Sequence, residues 1–87
     1  MSYLRELNVF IEEDGQREPF SLVITNPEKA PGADDYFCNI HAPVLFKRDK
    51  SIYGVDAKQA AELAIKFVND LLSGRQLVDE DGKPVVL

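Results

Sequence analysis

Residues 56–74 read DAKQAAELAIKFVNDLLSG, and this stretch limits the fold more than any other. Ala57, Ala60, Ala61, Ala64, Phe67, Val68, Leu71 and Leu72 recur at three- and four-residue steps, while Lys58, Glu62, Lys66, Asn69, Asp70 and Ser73 take the other side. That spacing predicts an amphipathic helix. Asp56, followed three residues later by Gln59, has the form of a capping box, in which the carboxylate accepts from free N–H groups of the first turn. Gly74 stands where the helix should stop, because glycine takes the left-handed conformation without a steric penalty. About seventeen residues span about 25 Å, enough to cross a small sheet. The alanines allow the helix backbone to approach that sheet closely, so Asp56 reads as a helix cap and not as a catalytic carboxylate.

The sheet is legible upstream. From Leu7 to Glu13, Leu7, Val9 and Ile11 alternate with Asn8, Phe10 and Glu12, the pattern of a half-buried strand. Asp14-Gly15 suits a tight turn, after which Phe20, Leu22 and Ile24 alternate with Ser21, Val23 and Thr25. A hairpin with a loop longer than two residues is expected, with Pro19 at the start of its second strand. NPEKAPGADD, residues 26–35, reads as a mobile loop and not as a continuation of either strand. Tyr36, Cys38, Ile40 and Ala42 then alternate with Phe37, Asn39 and His41 in a third strand, KRDK reads as a turn, and SIYG as a short fourth strand. The expected architecture is one α+β domain over residues 1–87. It has a three- to four-stranded antiparallel sheet, one long helix packed on one face, and RQLVDEDGKPVVL as a C-terminal hairpin or edge strand.

The chain has 87 residues, 45% of them hydrophobic, and a domain of this size buries only about 60–65% of its unfolded surface. One cysteine excludes an internal disulfide, and no apolar run approaches the roughly 20 residues of a membrane span. MSYLRELNVFIEEDG lacks the basic and apolar regions of a signal peptide, so a reducing, cytoplasmic setting is expected. The net charge of −5 disfavours a polyanionic partner, whose binding depends on basic side chains that neutralise phosphates. Lys47, Arg48 and Lys50 form a local exception, but Asp49 sits among them and no glycine-rich cradle flanks them.

Chemistry has few places to reside. Nucleophilic catalysis needs a base, and His41 is the single histidine. Cys38 and His41 are three positions apart on a strand, which sends them to opposite faces and prevents a dyad or a pair of adjacent metal ligands. Cys38 shares a face with Tyr36 and Ile40, where a buried, inert thiol is expected. The acidic runs at 12–14, 34–35 and 79–82 lack the spacing of a calcium loop, and no phosphate-binding or dinucleotide-binding glycine pattern occurs. No catalytic residue, cofactor or metal is implied.

Two resemblances accompany this reading. DYFCNI followed by YGVDAKQAAELAIKFVNDLL resembles a family of small bacterial domains of unknown function, in which a strand with an aromatic and a cysteine precedes a Gly-x-Asp-x-x-x-Ala helix ending in leucines. Here those positions are Tyr36 or Phe37 with Cys38, then Gly54, Asp56, Ala60, Leu71 and Leu72. That likeness implies a fold and no activity. APVLFKRDKSIYGVDAKQAAELA also looks like the partial ribonuclease H-like domain of HicB-type antitoxins, with GKPVVL as its closing strand.

The expected function is a small non-enzymatic interaction module, with a protein partner or self-association. The alternatives are a small-ligand-binding or enzymatic module using the 26–35 loop and the helix N-terminus, or a HicB-like antitoxin component. Phe10, Val23 and Phe37 point away from the helix on three successive strands, among Asn39 and His41, and are expected to align into one apolar patch. Either the tail from Leu77 to Leu87 folds over that patch, or it is a homodimer or partner interface.

Overall fold

In the computed structural model, residues 3–86 are described, so the first two residues of the N-terminal stretch and the last of GKPVVL lie outside it. Six strands and one helix follow in the order β1 (Arg5–Glu13), β2 (Gln16–Ile24), β3 (Glu28–Lys29), β4 (Tyr36–His41), β5 (Lys50–Gly54), α1 (Ala57–Leu72) and β6 (Gln76–Val78). All pairings are antiparallel, and the strands form one sheet: β6 lies beside β1, β1 beside β2, and β2 beside β4. β5 pairs with β4 from Tyr36 to Ile40 and so occupies its other edge. The α+β class is as the sequence predicts, with more strands than the three or four expected.

Three local expectations are corrected. The β1–β2 loop is only two residues long, since Glu13 faces Gln16 and both Asp14 (φ 51°) and Gly15 (φ 78°) are left-handed. That is the backbone of a type I′ turn, whose twist matches the strands it joins. Pro19 lies inside β2, opposite Phe10, and not at its start. Its missing N–H is tolerated because β2 meets β4 only at Val23 and Ile24, leaving no ladder on the side that the Pro19 nitrogen faces. Finally, the 26–35 segment is not all loop: Glu28 and Lys29 pair with Phe37 and Tyr36. From Ile24 to Glu28 is four steps, whereas their partners Ile40 and Phe37 are three apart, so β3 resumes the edge of β2 after a one-residue bulge.

The core lies between the sheet and α1. Val9, Ile11, Phe20, Leu22, Ile24, Cys38, Ile40 and Leu77 from the strands meet Ala60, Ala64, Val68 and Leu72 from the helix. All but Leu77 are residues that alternation and helical periodicity assign to one face. Leu77, expected to begin a tail over the opposite face, instead joins the core, and α1 packs mainly on β4 and β5. Asp56 accepts from the Gln59 N–H at 2.7 Å, while Gln59 Oε1 accepts from the Val55 N–H at 2.7 Å. The capping assignment therefore holds, with the glutamine reaching one residue further back than in the usual box. Asp56→Ala is expected to lower stability by about 1 kcal/mol, measured by urea unfolding; no change would show that another group satisfies the first turn. Gly74, at φ 84°, closes the helix as expected.

The tail turns at residues 79–83, where Asp79 Oδ1 accepts from the N–H groups of Asp81 and Lys83 at 2.9 Å. It then returns along β6 through a Val78–Pro84 bridge and a Val85 N–H to Leu77 carbonyl bond of 2.9 Å. The acidic run 79–82 is thus a backbone-satisfying turn. The closing strand is Gln76–Val78, and Pro84 and Val85 form the outer arm of a small hairpin.

Candidate functional site

The sheet face away from α1 carries the residues that the core does not use. Alternation along β4 puts Phe37, Asn39 and His41 there, and the β4–β5 register sets Tyr53 opposite Phe37 and Ser51 opposite Asn39. The Phe37 and Tyr53 rings lie 5.7 Å apart between centroids at an interplanar angle of 36°, and Tyr53 is 56% exposed. Beside them the Ser51 hydroxyl donates to Asn39 Oδ1 at 2.7 Å, and Thr25 Oγ1 accepts from the Asn39 N–H at 2.9 Å. His41 Nδ1 is 2.7 Å from Asp49 Oδ1, a contact exposed on both sides. The result is an aromatic pair bordered by a row of short polar contacts.

The five residues expected at an interface all lie on this face, but they do not form one patch. Val23 is paired with His41, which places it next to the polar row. Phe10 is opposite Pro19, four residues along β2 from Val23, and Phe37 is four residues along β4 from His41. At about 3.3 Å per residue, each step of this diagonal is about 13 Å. Phe10 instead neighbours Val78, which is fully buried, and shares a shallow hollow with Glu80 of the tail turn. A Cβ added at Gly82 would run into the Arg17 guanidinium, so this turn sits against the β1–β2 end of the face. The tail thus comes to the Phe10 end of the diagonal, while Phe37 has Tyr53 as its ring neighbour. Tyr53, Ser51 and Asp49 were not marked by the sequence, because SIYG is too short for alternation to assign its faces. The signal lay in the spacing of Ser51 and Tyr53 about Ile52.

Cys38 and His41 lie on opposite faces, as their odd separation requires. Cys38 is fully buried, and desolvation raises its thiol pKa above the ordinary value, which keeps it protonated. His41 with Asp49 has the contact of an imidazole and its orienting carboxylate, but the neighbouring Ser51 donates its proton to Asn39 and not to the ring. Among the described residues, no three His, Cys, Asp or Glu side chains come together to hold a metal ion. The 26–35 segment contributes an open hollow lined by residues 29–34, and the helix entrance adds no residue to that lining. Gly54 is explained by packing: a Cβ there would lie 2.5 Å from the Ala60 nitrogen and 2.9 Å from the Ala60 Cα. Among the described residues, no helix is long and apolar enough to cross a membrane.

No family model, curated protein or solved structure matches the chain.

Proposed function

We propose that this protein is a non-enzymatic interaction module that engages a protein partner through the β4–β5 half of its helix-free face. The Phe37–Tyr53 pair, with Tyr53 exposed and Phe37 half-buried beside it, carries this reading. Aromatic side chains on a flat, rigid support contribute large contact area with few rotatable bonds, and they are enriched among the residues that dominate binding energy. Around them, Asn39, Ser51, His41 and Asp49 already satisfy one another, so they form a polar rim that needs little rearrangement on contact. The pair stands on an open, strand-paired face, which suits a macromolecular surface better than a small molecule, whose sites are concave.

The test is co-purification with mass spectrometry of the bound material, using the wild type and the variants Phe37→Asp and Tyr53→Ala. A stoichiometric protein is expected on the wild type, retained at least about tenfold less by each variant, which corresponds to roughly 1.4 kcal/mol or more. Both variants should remain folded, since neither ring belongs to the core beneath α1. Recovery of a small molecule, or of a partner held equally by the variants, would overturn the reading.

A further inference from the structure

We infer that β5 pairs with β5 of a second copy of this chain, giving a two-fold dimer with one continuous sheet. The argument begins with the direction of backbone groups. The Asn39 carbonyl accepts from the Thr25 N–H, and the Asn39 N–H donates to Thr25 Oγ1, both at 2.9 Å, so Asn39 points its backbone toward β2. Alternation then turns Tyr36, Cys38 and Ile40 toward β5, where they bond with Gly54, Ile52 and Lys50. The N–H and C=O groups of Ser51 and Tyr53 therefore point outward, along an edge that no strand covers among the described residues. β5 contains no proline or bulge, and Lys50 is its single charge, so it lacks most of the devices that discourage strand addition.

Self-pairing follows from the register those groups allow. With Ile52 facing Ile52 of the other copy, Ser51 of each chain lies opposite Tyr53 of the other, and all four outward N–H groups find carbonyls. Shifting the centre by one residue toward Tyr53 would enlist the Val55 N–H, which already donates to Gln59 Oε1. Shifting it toward Ser51 would enlist Asp49, which lies outside the strand. The helices fit this arrangement. α1 lies over both β5 and β4, so the two copies would stand about 10 Å apart, a normal helix packing distance. At the opposite end of the sheet β6 is covered by the tail, through the Val78–Pro84 bridge and the Val85–Leu77 bond. A β5-to-β6 contact that would propagate into a filament is thereby blocked, and the two-fold solution closes on itself.

This inference rests on the outward backbone groups of Ser51 and Tyr53 and not on their side chains in the aromatic and polar row, so the two fail differently. Sedimentation over a concentration series should give a particle of twice 9.8 kDa, and amide hydrogen exchange should show protection of Ser51 and Tyr53 rising at least about tenfold as the dimer forms. Ser51→Pro removes an outward donor without touching the β4 ladder and should give a folded monomer. Ile52→Cys, should the proline variant unfold, places two thiols across the two-fold axis and should yield a disulfide-linked dimer on mild oxidation. Phe37→Asp should leave the dimer intact. A monomer at every concentration, a dimer whose Ser51 and Tyr53 amides exchange freely, or a dimer dissolved by Phe37→Asp would overturn it.

Discussion

Replacing Gly54 with alanine is expected to destabilise the protein by about 2–3 kcal/mol, although it adds only one methyl group. The added Cβ would lie 2.5 Å from the Ala60 nitrogen, 2.9 Å from the Ala60 Cα and 2.9 Å from the Gln59 carbonyl carbon. All three are backbone atoms, so no side chain can rotate out of the way. Relief requires the first turn of α1 to lift from β5, and that turn is fixed by the Asp56 cap and by Ala60 and Ala64 against the core. Gly54 is not at positive φ, so the loss would come from crowding and not from backbone strain. Urea unfolding with an unchanged slope would measure it; a loss below about 0.5 kcal/mol would mean that the helix start is loosely seated.

The largest effect is expected for Phe20→Ala, at about 3–5 kcal/mol. Phe20 is 1% exposed, stands opposite Val9, and is the largest fully buried side chain in the core. Its loss removes apolar burial and leaves a cavity in the core that its rigid neighbours cannot fill. Native domains hold roughly 0.05–0.15 kcal/mol per residue, or about 4–13 kcal/mol for a chain of 87 residues. Phe20→Ala would thus consume a large part of the total, and thermal melting should show a broadened or missing transition. Phe20→Leu, which keeps most of the volume, should cost less than half as much. Equal losses for the two would indicate that the aromatic ring itself, and not the space it fills, is what the core requires.

Periodicity made the helix and three of the strands readable in advance. Sixteen residues of α1 supply enough turns for a 3.6-residue repeat to stand out, and β1, β2 and β4 each show two or three full alternations. β3 has two residues, both charged or polar and set between prolines, so no local pattern distinguishes it from loop. It is a strand because β4 offers a partner, a fact that only tertiary structure supplies. The candidate surface shows the same division. Alternation assigned Phe10, Val23 and Phe37 to a common face correctly, but distances within a face depend on register, and the register spread them along a diagonal. Tyr53 entered the site through its pairing with Phe37, which no reading of β5 alone reveals. Pro19 was misplaced for a related reason: a proline is excluded by a ladder bond, and at that position β2 has none on the relevant side.

The placement of β6 has a consequence for how the chain acquires its structure. Phe10 faces Val78, so the first and last strands are neighbours although 68 positions separate them. Every other strand pairing joins segments close in sequence, and those hairpins can form early at little loop-closure cost. β1, by contrast, must hold its outer edge unsatisfied while the rest of the chain is synthesised, and only the return of the polypeptide across the sheet by way of α1 covers the Phe10–Glu12 part of it. Until that moment a nascent molecule exposes two sticky edges instead of one, and it is during biosynthesis, more than in the finished protein, that mispairing with a neighbouring chain is most favoured.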